Sequence, residues 1–245
     1  LSGGGFNGAF QVGALKYLSD NWRAITGLTS PMKFDLISGV SAGAINGALV
    51  AMDELSLLHD LWVNRIGRFG ASEIYTSDFI ETRSQGDNLK IKVDIKSLAE
   101  KFFSKVRFEM SALDKLGLIV SQSTRQQVID KYLGIFYDLV KAHMGEFKAI
   151  ADNDPLRKKL NKYLDRSKIK DTVFSCGFVS LNTGAYHAVK SDQFVSNDDF
   201  VAGVLSSCSI PFVWNPVQRL AYANESETVH CFNTVDGGVM NVSPL

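Results

Sequence analysis

Residues 34–52 read Phe34-Asp35-Leu36-Ile37-Ser38-Gly39-Val40-Ser41-Ala42-Gly43-Ala44-Ile45-Asn46-Gly47-Ala48-Leu49-Val50-Ala51-Met52. A β-like run, Phe34 to Ser38, gives way to G-x-S-x-G at Gly39 to Gly43, and a helix-like run follows from Ala44 to Met52. Strand, tight turn and helix in that order are the setting of a nucleophile elbow. A serine hydroxyl is a poor nucleophile, so the elbow must lift it out of the chain. Glycines two residues to either side let neighbouring backbone pass without a Cβ clash. Ser41 is therefore the candidate nucleophile, and the alternative is a close-packed strand–helix turn with no chemistry.

A second glycine cluster, Gly3-Gly4-Gly5-Phe6-Asn7-Gly8, opens the chain and runs into an apolar-periodic helix in which Phe10, Ala14, Leu15 and Leu18 recur. Backbone N–H groups at a glycine-rich helix entrance have no intrahelical partner and can hold an anion. A tetrahedral oxyanion is one such anion. In serine acyl hydrolases the hole is commonly built from the N–H after the nucleophile, here Ala42, and from a glycine loop elsewhere, here Gly4 and Gly5. The same six residues match the G-x-G-x-x-G of dinucleotide-binding loops, which also require an acidic residue at the end of the next strand. Asp35 lies at the start of its strand, and that strand ends in the serine elbow.

Near the C-terminus, Val235-Asp236-Gly237-Gly238 sets a carboxylate at a turn where other backbone can approach closely. The glycine loop, the Gly39–Gly43 elbow and Asp236-Gly237-Gly238, in this order, resemble the patatin-like phospholipases. The segment Ser206-Ser207-Cys208-Ser209-Ile210-Pro211 resembles that family's block of small residues before a proline. The resemblance implies a Ser-Asp dyad with Ser41 as nucleophile and Asp236 as base. It implies an oxyanion hole from Gly4, Gly5 and Ala42, with Gly3, Gly8, Gly39, Gly43, Gly237 and Gly238 as motif glycines. The implied fold is a three-layer α/β sandwich, a mainly parallel central sheet with helices on both faces and an inserted helical region. The implied substrate is a phospholipid or other acyl-ester lipid. Asn7 departs from the Arg or Lys common in the family's loop, which puts any side-chain charge contribution there in doubt.

Composition is consistent with a single domain over residues 1–245. The chain is 45% hydrophobic and has no stretch of roughly 18–20 apolar residues that would span a membrane. Cys176, Cys208 and Cys231 are too few for a disulfide framework, so free buried thiols and a cytoplasmic or peripheral-membrane location are expected. Only Leu1 and Ser2 precede the glycine loop and the chain stops soon after Asp-Gly-Gly, so both termini read as cut from a longer protein. No His, Cys or Asp cluster sits at ligand spacing, and neither metal nor other cofactor is implied.

The middle of the chain is organised differently. Ile95, Leu98, Ala99, Phe102, Phe103 and Val106 have helical spacing, as do Val128, Ile129, Tyr132, Leu133, Phe136, Leu139 and Val140. Asp154 and Pro155 read as N-cap and first residue of a further helix. Thr172–Val179 and Ala185–Val189 read as a hairpin. Residues 88–170 hold 18 Lys and Arg against 10 Asp and Glu, a net of +8, and the remainder holds 8 against 16, a net of −8. This inserted basic region is read either as solvated helix faces or as a surface for anionic lipid; its aromatics follow the apolar stripe, which argues against nucleic acid. Oligomeric state is not legible.

Three alternatives stay open at this level. One is a triad with His187 or His230 as base, since the common acyl hydrolase carries a histidine after its serine. The others are a carboxylesterase or thioesterase on soluble acyl substrates, and a catalytically silent membrane-binding module.

Overall fold

Strand, turn and helix follow one another as the pattern predicts, with the strand two residues later than Phe34–Ser38 and the helix starting two residues before Ala44. β1 (Leu36–Val40) is followed by one residue, Ser41, and then by α3 (Ala42–Ala51). The computed structural model describes residues 1–77, 80–85, 88–93, 149 and 151–244. Ahead of β1 lie α1 (Gly8–Asp20) and α2 (Trp22–Thr26). After α3 come α4 (Leu55–Asp60), a π-helical turn over Leu61–Ile66, and the short α5 (Gly67–Phe69). β2 (Ile80–Gln85) and β3 (Asn88–Val93) form a separate antiparallel pair. The second half adds α6 (Asp154–Tyr163), β4 (Val173–Ser180), β5 (Tyr186–Lys190), α7 (Asn197–Cys208), β6 (Val217–Asn224) and β7 (Glu227–Asp236).

The expected α/β architecture is present, with a mixed rather than mainly parallel sheet. β1 and β4 run parallel, whereas β4–β5, β4–β7 and β6–β7 are antiparallel. β4–β5 and β6–β7 are joined by short hairpins, which can only pair antiparallel, whereas β1–β4 and β4–β7 are long-range pairings. Leu1 extends the parallel part: its amino group donates to Ser38 O at 2.6 Å and its carbonyl accepts from Val40 N–H at 3.2 Å.

β4 has three partners and two edges, and the registers decide how they share it. Residues 175–177 of β4 face β5 on one edge and β1 on the other. Residues 178 and 179 face β5 on the same first edge, while β7 takes the second. β1 ends at Val40 opposite Gly177, and β7 ends at Asp236 opposite Phe178. The C-terminal ends of β1 and β7 therefore meet head-on along one edge of β4.

Helices cover the face that carries Ile37, Phe174, Cys176 and Phe178, all buried. α3 packs on β1 and β4, and α7 on β4, β6 and β7; α1 and α4 lie over α3, and α6 over α7. Gly47 of α3 sits against the Phe174 ring and Ile37, so helix and sheet approach closely. The three cysteines are free and buried, as expected.

Four expectations are corrected or fall outside the described residues. In α1 the buried stripe is Gly8, Val12 and Leu15; Phe10 is 82% exposed and Ala14 is exposed. The helix is anchored by Gly8, whose missing side chain admits Trp62 and Ala42, and this rotates the face that composition alone suggests. The N-cap of α6 is Asn153, with Asp154 as first residue and Pro155 second. Asn153 spends its side chain on Ser209 Oγ (3.2 Å), and Asp152 Oδ1 accepts from Asp154 N–H instead (3.0 Å). The basic region expected to be helical from about residue 88 begins with a strand, β3, whose Asn88-Leu89-Lys90-Ile91-Lys92-Val93 alternates with period two. The helices expected around 95–106 and 128–140 lie outside the described residues, as does His143.

Candidate active site

Ser41 occupies the one-residue joint between β1 and α3 with φ 55° and ψ −132°, a conformation L-residues rarely adopt and which costs about 1–3 kcal/mol. The flanking glycines make the joint sterically feasible. A Cβ on Gly39 would overlap the Gly43 carbonyl, and one on Gly43 would overlap the Leu1 carbonyl. The strain is held by three hydrogen bonds. Ser41 N–H donates to Ser207 Oγ at 2.9 Å, and the Ser41 carbonyl accepts from Ala44 N–H at 2.9 Å and from the Cys208 thiol at 3.1 Å.

Because β1 and β7 end against each other, Asp236 arrives beside Ser41. It is 5% exposed; its N–H donates to the Ser209 carbonyl at 2.8 Å and its Oδ1 accepts from Gly238 N–H at 2.7 Å. Gly237 follows so tightly that a Cβ there would lie 2.5 Å from the Gly177 carbonyl oxygen. Burial pushes the Asp236 carboxyl above the ordinary carboxylate range. The Gly238 N–H and the Ser41 hydroxyl, both acting as hydrogen-bonding neighbours of the ionised form, offset part of that rise. A carboxylate raised in pKa and directed at a serine hydroxyl is a stronger base than a solvated one.

The glycine loop lies over the same joint. Gly3 is within 3.2 Å of Ser41 Cβ by its own would-be Cβ, and its N–H donates to Val242 O at 3.1 Å. Gly4 (φ 155°) and Gly5 (φ 54°) adopt backbone conformations suited to glycine and are exposed. Gly5 begins a 3₁₀ turn, Gly5–Asn7, and Ala42 begins α3. The N–H groups of both first positions have no carbonyl partner within their own helices, which leaves them for an anion. Asn7 is exposed and its N–H closes back on Gly4 O at 3.0 Å.

The described histidines sit elsewhere. His187 stacks on Phe178, its Nδ1 lies 3.0 Å from the Tyr222 hydroxyl and its Nε2 3.9 Å from Cys231 Sγ; burial lowers its pKa. His230 is exposed beside Arg219, and His59 lies on α4. Neither ring nitrogen of His187 is paired with Ser41.

Two sets of residues escaped the sequence reading. Ser207, Cys208 and Ser209, at the end of α7, hold the backbone of both Ser41 and Asp236. Their block of small residues was the available signal, but nothing local says which atoms they grip. Asn46, fully buried on α3, is the second. Its Nδ2 donates to Gly8 O (3.1 Å) and Gln11 Oε1 (3.2 Å), and its Oδ1 accepts from Trp62 Nε1 (2.9 Å). One amide thus ties the glycine loop to the wall of an apolar cavity of about 110 Å³, lined by Gly5, Ser41, Ala42 and Trp62 among others. Among the described residues no group of three His, Cys, Asp or Glu side chains is arranged to hold a metal ion.

The family model described as Patatin-like phospholipase matches residues 1–245, and the chain belongs to that family. Among solved structures it is similar to VipD from Legionella pneumophila, with 14% sequence identity and a TM-score of 0.46. The match covers 100% of this chain and 46% of VipD, so the chain spans less than half of that protein's length. Comparison with curated proteins found no match.

Proposed function

We propose that this chain is a serine lipid acyl hydrolase of phospholipase A type working through a Ser41–Asp236 dyad. The carrying observation is the joint itself: a strained serine, its hydroxyl acting on a buried carboxylate, opening on an apolar cavity. Family membership supports lipid acyl hydrolysis in general. Asp236 accepts the Ser41 proton as Oγ attacks the ester carbonyl. The oxyanion is met by the N–H groups of Gly4, Gly5 and Ala42, each such donor being worth about 10²–10³ in rate. Asp236 returns the proton to the departing alcohol, leaving an acyl-Ser41. Water then attacks, again losing its proton to Asp236, and the fatty acid leaves as Ser41 regains a proton.

A lipid surface as the place of work is supported by the rim. Phe6 is 38% exposed and lines the cavity, and Phe10 and Tyr17 on α1 are 82% and 65% exposed. Aromatic side chains on one helix beside a site suit insertion at a membrane interface. Among the described residues no helix is long and apolar enough to cross a membrane. The basic exposed residues of α6, Arg157, Lys158 and Lys162, would add attraction to anionic headgroups.

The test is labelling by a serine-reactive fluorophosphonate with peptide mapping, alongside hydrolysis of phospholipid vesicles and of a short soluble ester. Label on Ser41, and a loss of about 10⁴–10⁶ in turnover in folded Ser41→Ala, are expected. Wild-type-like turnover by that variant refutes the assignment. Preference for the soluble ester with no vesicle hydrolysis would move the reading to a carboxylesterase or thioesterase, and no label and no turnover to a silent module.

A further inference from the structure

The cavity that begins at Ser41 is apolar along most of its wall, but Arg65, Glu73 and Lys159 also line it. An outer cleft of about 440 Å³ adjoins it, walled by Lys158, Lys162 and Pro155 together with five residues shared by both spaces: Leu61, Arg65, Glu73, Lys159 and Tyr163. Those five form a partition between an apolar interior and a basic exterior. Within it Lys159 Nζ donates to the Glu73 carbonyl at 2.8 Å and pairs with Glu73 Oε2 at 3.2 Å, both side chains being about a quarter exposed. The backbone behind them is fixed, since Leu156 N–H donates to Ile74 O at 3.1 Å and Thr76 and Asp152 exchange hydrogen bonds at 2.8–2.9 Å.

We propose that the Glu73–Lys159 pair is the distal stop of the acyl cavity and determines the length of fatty-acyl chain the protein binds best. The inference rests on the reading of Ser41 as the acylation site. A methylene gains free energy only while it leaves water for apolar surroundings, about fourfold in affinity for each one buried. Past the partition the walls carry Arg65, Lys158, Lys159 and Lys162, so a further methylene leaves the apolar lining and the gain ends.

Trp62 and Trp214 line the cavity and supply an intrinsic probe. Tryptophan fluorescence is titrated with saturated fatty acids from C6 to C16, each below its micelle concentration, and kcat/KM is measured for the matching p-nitrophenyl esters. In wild type the affinity should rise about fourfold per carbon and then flatten. In Glu73→Leu/Lys159→Met, which continues the apolar wall, the break should move at least two carbons longer, raising the long-to-short ratio about 16-fold or more. Lys158→Met, in the outer cleft alone, should leave the break where it was. Affinity that keeps climbing through C16 in wild type overturns the inference even if the double variant fails to fold. So does a break that stays fixed in a double variant with a normal melting transition. If no ester is hydrolysed while the fatty-acid series breaks and shifts as stated, the hydrolase reading falls and the distal stop stands.

Discussion

Removing the Ser207 hydroxyl tests whether the elbow is held in a strained state by α7. In Ser207→Ala the Ser41 N–H loses its partner in a place where Ser207 is fully buried and Ser41 is 8% exposed. An unsatisfied buried donor costs about 1–3 kcal/mol. If the fold keeps its geometry, that cost appears as stability, and a chain of this size should melt about 2–4 °C lower per kcal/mol. If instead the joint relaxes from φ 55°, the same energy appears as loss of the productive conformer, about 5- to 150-fold in kcat. Ser206→Ala is the matched comparison: Ser206 is equally buried, but its hydroxyl serves Ala202 O and Thr234 Oγ1 and touches neither Ser41 nor Asp236. It should lower the melting temperature with turnover within about threefold of wild type, because each hydrogen bond is worth about 1 kcal/mol and both are remote from the reacting atoms. The assay is thermal melting together with steady-state hydrolysis of a short ester by all three proteins. A Ser207→Ala protein that melts and turns over like wild type, or the same activity loss in both variants, refutes the reasoning.

The raised Asp236 pKa predicts an acid limb in kcat/KM, which reports the free enzyme, with its midpoint above 3.8, because the base must be ionised; a midpoint at or below 3.8 contradicts it. The same shift has a stability sign: a carboxyl whose folded pKa is raised favours the fold below its unfolded pKa and loses that contribution as pH rises through the folded value. Asp236→Asn should therefore be nearly inactive yet melt no lower than wild type at pH 7, and a markedly lower melting temperature counts against burial as the cause. Gly43→Ala would drive a Cβ into the Leu1 carbonyl, an overpacking cost of about 1–3 kcal/mol or more, so its melting temperature should fall well below that of Gly13→Ala, where the added Cβ meets open space. Binding to vesicles containing anionic lipid should fall between low and about 0.3 M salt and in Arg157→Gln/Lys158→Gln/Lys162→Gln, each cation near the surface contributing about 1 kcal/mol, while soluble-ester turnover holds. Equal binding to neutral vesicles would show these residues to be only a solvated face.

The elements nearest the chemistry are those the sequence states most directly. Gly39 is required by its approach to the Gly43 carbonyl four residues on, and Gly4 and Gly5 by their positive φ, so these parts of the pattern are local and legible, whereas Gly43, Gly8 and Gly237 are required by the distant Leu1, Trp62 and Gly177. The β4–β5 hairpin is equally readable from its turn, and β3 carries a period-two alternation that the basic composition around it obscures. The buried face of α1 was not, because Phe10 and Ala14 look like core residues until Trp62, 52 positions beyond Phe10, is seen to pack on Gly8. The sequence by itself determined which residues can act as nucleophile, carboxylate and anion-binding backbone. Only the tertiary structure decided that they lie together. β1 and β7 must end against each other on the same edge of β4, and a serine 166 positions after Ser41 must hold its N–H. Strand register and long-range hydrogen bonds are selected by the combined burial and pairing of distant segments, a sum that no local pattern of residues carries.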